Sequence, residues 1–117
     1  MSNSLPKKIR LCDNLLIETI FQKGEKFQKE SLICKYLESV NFQVGFSAPK
    51  KRFPRAVDRN QIKRHLRESF RLHYKEILGE SPKGYGYFIF MGSVNTSFKE
   101  TEELMKEVLT YWKASLS

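Results

Sequence analysis

Nine of the chain's 21 lysines and arginines fall between Lys50 and Arg71: Lys50, Lys51, Arg52, Arg55, Arg59, Lys63, Arg64, Arg67 and Arg71. Only Asp58 and Glu68 oppose them there, so this fifth of the chain carries +7 of a formal net charge of +8. A basic protein without a charged partner would scatter such an excess. Concentrated cations suit a polyanion, of which nucleic acid is the commonest. Arginine outnumbers lysine four to one over Arg59–Arg71, and guanidinium offers the planar fork that grips phosphate at two points.

Other residue types capable of chemistry do not converge. His65 and His73 lie eight residues apart with no nucleophile motif near either. Glu102, Glu103 and Glu107 read as the solvated face of a helix. Asp58, near a helix start, compensates the positive end of the helix dipole. Protein-based hydrolysis needs a base, an acid or metal-holding carboxylates, and no such constellation stands out. Cys12 and Cys34 lack CxxC spacing and a histidine cluster, which points to two buried or half-buried thiols in a reducing cytosol and away from zinc.

The elements that must position these groups follow from pattern. Asp13 is placed to cap a helix whose apolar face is Leu16, Ile17, Ile20 and Phe21, with Gly24 at its end. Strands are expected around Phe27, over Ser31–Glu38 and over Phe42–Ser47, where Phe42, Val44 and Phe46 alternate with Gln43, Gly45 and Ser47. Pro49 and Pro54 bracket a basic connection. A long helix follows, from Ala56 or Asp58 to Leu78, with Gly79 closing it and Ile62, Leu66, Phe70 and Ile77 as its stripe. Tyr85–Met91 is apolar enough for a central strand. Ser97 and Glu100 form a capping-box pair ahead of Leu104, Met105, Val108, Leu109 and Trp112 at helical spacing. Trp112 reads as core.

Helix geometry separates the two roles of the long helix. At about 100° per residue, with Arg59 as zero, the row Arg59, Lys63, Arg67, Arg71, Arg64 and Lys75 spans roughly 0° to 160°. The apolar stripe clusters around roughly 340°. A charge run is ordinarily a solvated face laced with ion pairs, but the positions four apart here are mostly further cations. Like charges at that spacing cost roughly 0.2–0.5 kcal/mol per pair, so a neutralising ligand is the better account. Asn60 adds no charge inside this row. It supplies a hydrogen bond either to a nucleic acid or to the backbone at the helix start.

At this segment the sequence becomes specific. Arg59-Asn60-Gln61-Ile62-Lys63-Arg64-His65-Leu66-Arg67-Glu68-Ser69-Phe70-Arg71 resembles the RN-x-IKR-x-LRE-x-FR signature of the protein subunit of bacterial ribonuclease P. Val44–Lys51, Ala56-Val57 and Ile20-Phe21-x-x-Gly24 are similar to the family as well. The resemblance implies an α+β two-layer sandwich, αβββαβα, with a four-stranded sheet and a left-handed βαβ crossover, against the usual hand. It also implies a partnership in which a catalytic RNA, with Mg2+ held mainly by that RNA, removes the 5′ leader of precursor tRNA. The protein itself would be non-catalytic.

On this resemblance Lys50, Lys51, Arg52, Arg55, Arg59, Asn60, Lys63, Arg64, Arg67 and Arg71 face RNA. The leader would lie against Ile17, Phe21, Lys35, Tyr36 and Ser47. Two of these depart from the family: Ile17 stands where many members have Phe, and Lys35 where some have Tyr.

The expectation is one domain over residues 1–117, with residues 1–10 a loosely packed arm. It is cytoplasmic, without a membrane span or an obligate protein partner, a monomer beside one RNA. Two other readings remain: a ribosomal protein or transcription factor, which would need base-reading side chains or a dimer seam, and a self-sufficient metal-dependent nuclease.

Overall fold

Capping and turn residues set the element boundaries in the computed structural model, which describes residues 5–115. Asp13 Oδ1 accepts from the Leu15 and Leu16 amides at 2.9 and 3.3 Å, starting α1 (Asn14–Lys23). The strands β1 (Glu25–Lys29), β2 (Leu32–Leu37) and β3 (Phe42–Ser47) follow, then α2 (Ala56–Leu78), β4 (Gly84–Phe90) and α3 (Phe98–Ser115). α2 stops at Gly79, whose φ of +97° is a conformation that glycine enters without steric cost. Ser97 and Glu100 exchange the two bonds of a capping box at 3.1 Å each, as their spacing predicts.

The order is the expected αβββαβα, and the four strands form one mixed sheet, β1-β2-β4-β3. β3 and β4 run parallel, and the other pairs are antiparallel. Register divides the side chains between two faces. Phe27, Cys34, Phe88 and Phe46 share one row, and Tyr36, Gly86 and Val44 line up beside it. This face packs against α2 and α3. Phe88 lies 5.5 Å from the Phe70 ring and 6.2 Å from Trp112. The α2 stripe is Ile62, Leu66 and Phe70 as expected, but Tyr74 and Leu78 complete it, and Ile77 is only half-buried.

The N-terminal arm departs from expectation. Its described part packs: Leu5 and Ile9 are buried in the main core, and Lys7–Ile9 form a 3-10 turn. Arg10 bridges Val44 in parallel, the Leu11 amide donates to the Val44 carbonyl at 2.7 Å, and Arg10 Nε donates to the Leu5 carbonyl at 2.9 Å. The physical reason is the free edge of β3, whose unpaired backbone groups offer the arm hydrogen bonds. Residues 1–4 of the expected arm lie outside the described residues.

Trp112 is the largest buried side chain, and it needs the absence of one at Gly86. A Cβ placed there would lie 2.7 Å from Trp112 Cη2. Gly86→Ala is therefore expected to lower stability by about 1–3 kcal/mol through overpacking, read as a lower denaturant midpoint at unchanged slope.

Candidate nucleic-acid interface

α2 offers its cations unequally. Its apolar stripe anchors one side to the sheet, which turns the neighbouring side outward. Lys50 and Lys51 in the preceding connection are exposed, as are Arg64 and Arg67, while Lys63 is half-buried. None of these five side chains has a hydrogen-bond or ion-pair partner among the described residues. Asn60 is likewise exposed with its amide unbonded, and it lies within the helix, five residues beyond the Arg55 N-cap. The helix-start role considered for it is thereby excluded.

The other four cations expected to face RNA, Arg52, Arg55, Arg59 and Arg71, have partners within the chain. Arg71 makes a two-point ion pair with Glu68, its Nε 3.0 Å from Oε2 and its Nη2 on Oε1. The bond from Arg71 holds the Glu68 carboxyl below its ordinary range. Arg59 Nη1 donates to the Phe53 and Pro54 carbonyls, both at 2.9 Å. Arg52 Nε donates to the Gly92 carbonyl at 3.1 Å, and Arg55 lies 3.9 Å from Asp58 on an exposed surface. Exposed pairs of this kind add little, so Arg55 remains available. Arg59 and Arg71 are the two members of the row that are not displayed.

The opposite face of the sheet carries the second candidate surface. Lys26, Lys35, Tyr87 and Gly45 form one cross-strand row, with Gln28, Ile33, Ile89 and Ser47 beside it. α1 covers part of this face. Phe21, 39% exposed, meets Tyr87 edge-on with centroids 5.4 Å apart. Lys35 Nζ lies 5.2 Å from the Phe21 ring centre and donates to the Phe21 carbonyl at 3.2 Å. Ile17 is half-buried one helical turn before Phe21, on the same side of α1.

Of the five residues proposed for a cleft, Ile17, Phe21, Lys35 and Ser47 thus share one side of the sheet. Tyr36 does not. Its ring lies 6.4 Å from Trp112 on the helix-packed face. Strand alternation sends Lys35 and Tyr36 to opposite faces, so Tyr36 cannot stand in for Lys35. Tyr87 supplies the second aromatic, and it was missed. Its signal was the parity of Tyr85-Gly86-Tyr87 against the core-facing Phe88 and Phe90.

Among the described residues, both histidines are engaged by neighbouring side chains. His73 Nε2 lies 2.7 Å from Glu102 Oε2 and joins α2 to α3, so Glu102 sits at a seam and not on a solvated face. His65 packs edge-on against Phe98 at 5.5 Å, with Gln61 Nε2 3.0 Å from its Nε2. Burial drives the Cys34 thiol well above its ordinary range, as a core residue, whereas Cys12 is exposed, against the expectation of two buried or half-buried thiols. Among the described residues no three His, Cys, Asp or Glu side chains gather where a metal ion could be held. No helix among them is long and apolar enough to cross a membrane.

Comparison with known proteins gives a consistent result. The family model described as Ribonuclease P matches residues 5–114. The ribonuclease P protein component of Bacillus cereus strain AH187 is 32% identical over 114 residues, covering 95% of this chain and 94% of that one. That of Finegoldia magna is 34% identical over 73 residues, covering 62% and 64%. The Nitrosococcus oceani protein is 40% identical over 73 residues, covering 61% and 60%. The chain thus spans under two thirds of the length of these last two relatives. Among solved structures, the Staphylococcus aureus RNase P protein superposes with a TM-score of 0.76 at 25% identity, covering 92% of this chain and 97% of that one. The Thermotoga maritima RNase P protein shares the fold, with a TM-score of 0.71 at 22% identity, covering 87% and 96%.

His65 is partly desolvated and lies beside one displayed cation, Arg64. Desolvation first, and the Arg64 charge second, lower its pKa below the ordinary value of 6.5. A histidine that resists protonation when folded takes up more protons when unfolded, so its contribution to stability is lost as pH falls below that ordinary value. By NMR titration, His65 should have a midpoint below that of the unfolded chain. Arg64→Gln should move the midpoint upward but only part of the way, since desolvation persists.

Proposed function

The chain belongs to the ribonuclease P protein family, and from that premise we propose that it binds the catalytic RNA of that enzyme and the 5′ leader of precursor tRNA. In this role it assists the Mg2+-dependent endonucleolytic removal of the leader, acting in the cytoplasm as one protein beside one RNA. The protein has no catalytic group of its own, and the Mg2+ belongs to the RNA.

The observation that carries this reading is the set of unpartnered cations, Lys50, Lys51, Lys63, Arg64 and Arg67, on the surface next to the α2 stripe. Catalytic RNA folds phosphates close together, and their repulsion limits both its own packing and its hold on a second RNA. Cations fixed on a rigid helix lower that repulsion without having to be collected from solution. The sheet face under α1 suits a single strand. Phe21 and Tyr87 offer stacking surfaces, and Lys35 and Lys26 offer charge along its backbone.

The first test is cleavage of precursor tRNA at low Mg2+ by a bacterial ribonuclease P RNA, with and without the protein. Strong stimulation, cleavage at the mature 5′ end and no cleavage by protein alone are expected. Stimulation that is absent with a compatible RNA would overturn the reading. The Arg64→Ala, Arg67→Ala double variant should remain folded and bind that RNA more weakly. With about six phosphate contacts, the slope of log affinity against log salt for the unmodified protein should be about −4 to −5.

The leader surface is tested separately. Tyr87→Leu keeps an apolar side chain but removes a stacking platform worth about 1–3 kcal/mol per base. It should weaken binding of precursor tRNA to the holoenzyme while leaving the affinity for mature tRNA unchanged. Equal losses for both would remove the leader from this face.

A further inference from the structure

Resting on the RNA-binding reading above, we propose that Arg59, although it opens the arginine-rich signature, is a positioning residue that contacts no phosphate, and that Asn60 beside it is the group displayed to RNA.

Three observations converge on this division. The first is angular. Arg59 defines zero on the helix wheel, within about 20° of the centre of the apolar stripe near 340°. Asn60 falls at roughly 100°, between Arg67 at about 80° and Arg64 at about 140°. The charged residue thus points along the buried side, and the neutral one stands amid the cations.

The second is hydrogen bonding. One guanidinium nitrogen of Arg59 donates to two successive carbonyls, those of Phe53 and Pro54, at 2.9 Å each. Both belong to the connection just before α2, where the Arg55 N-cap makes no side-chain capping bond. A cation at a helix N-terminus is disfavoured by the dipole, and two carbonyl oxygens offset that cost. The Asn60 amide has no partner among the described residues.

The third is what the connection holds. Pro49 O accepts from the Arg52 and Phe53 amides at 3.1 and 2.9 Å, and the buried Phe53 ring stacks 6.1 Å from Phe90. The segment from Pro49 to Arg55 is therefore a folded turn, pinned to the sheet by Phe53 and to α2 by Arg59. Lys50 and Lys51 ride on it. Fixing its backbone spares the RNA the entropy of ordering those lysines on binding.

The experiment compares Arg59→Gln, Arg64→Gln and Asn60→Ala in the full chain. The first readout needs no RNA: hydrogen exchange at the Arg52 and Phe53 amides. Exchange should accelerate in Arg59→Gln and stay unchanged in the other two variants. The second readout is affinity for a ribonuclease P RNA transcript across a KCl series. Arg59→Gln should bind about threefold or more weakly at fixed salt, with the slope unaltered. Arg64→Gln should flatten the slope by about 0.7–0.9, the signature of one lost phosphate contact. Asn60→Ala should weaken binding at every salt concentration.

A slope flattened by Arg59→Gln as much as by Arg64→Gln, or unchanged loop exchange, would overturn the positioning role. Full affinity in Asn60→Ala would overturn the display of Asn60. If the unmodified protein fails to bind the transcript, the RNA-binding reading falls, while the exchange comparison still decides what Arg59 does. Should Arg59→Gln not fold, Arg59→Met is a second neutral variant for both readouts.

Discussion

Two neighbouring strands that run parallel cannot be joined by a tight turn, and β3 and β4 are such a pair. The chain must leave the carboxyl end of β3, cross the sheet and re-enter at the opposite end. α2, at 23 residues, makes the return. Its N-terminal half, and the connection before it, are thereby held near the carboxyl ends of both parallel strands, where Arg52 reaches the Gly92 carbonyl just beyond β4. The cationic surface depends on this topology. Without the parallel pair, the same basic residues could sit on a hairpin or a flexible tail, and their spacing would not be fixed.

The energetics of α2 show why a self-repelling helix is tolerated. Like-charge pairs one turn apart cost roughly 0.2–0.5 kcal/mol each. Two of the four members of the nearest row, Arg59 and Arg71, are compensated by backbone carbonyls and by Glu68. That leaves Lys63 and Arg67 as the main uncompensated pair, with Arg64 beside them. Against this, each fully buried Leu, Ile or Phe contributes about 1.5–3 kcal/mol, and α2 buries Ile62, Leu66, Phe70, Tyr74 and Leu78. Burial wins by a wide margin. Charge on the outer side is therefore free to be set by what binds there.

Elements with strong periodicity or explicit caps were legible in the sequence. Asp13, Gly79 and the Ser97–Glu100 pair bound helices where expected, and strand ends differ by a residue or so. What could not be read was information carried by distant partners. Leu5 and Ile9 are two apolar residues in a polar stretch, with no period to announce that β3 would offer them an edge. Ile77 fits the helical stripe as well as Tyr74 does, and only the position of the sheet decides which is buried. Lys35 and Tyr36 are adjacent in sequence yet face opposite layers, so adjacency misled where parity would have served. The wheel already put Arg59 beside the stripe, but the two carbonyls it meets belong to a turn whose shape depends on Phe53 finding Phe90.

The two candidate surfaces are linked by the same strand end. Ser47 closes β3 on the face shared with Tyr87, and Lys50 begins the cationic run three residues later. Three residues reach at most about 11 Å, roughly the span of two nucleotides. On the proposed reading, a strand leaving the cleft at this end meets the first cations almost at once. Arg59 then has a consequence beyond its own turn. By fixing the Phe53 and Pro54 carbonyls it fixes the connection on which Lys50 and Lys51 ride, and so the angle between the stacking face and the charged one. On that reading a half-buried cation bonded to backbone carbonyls would serve recognition by holding two binding surfaces in one geometry, a task that charge displayed to solvent cannot perform.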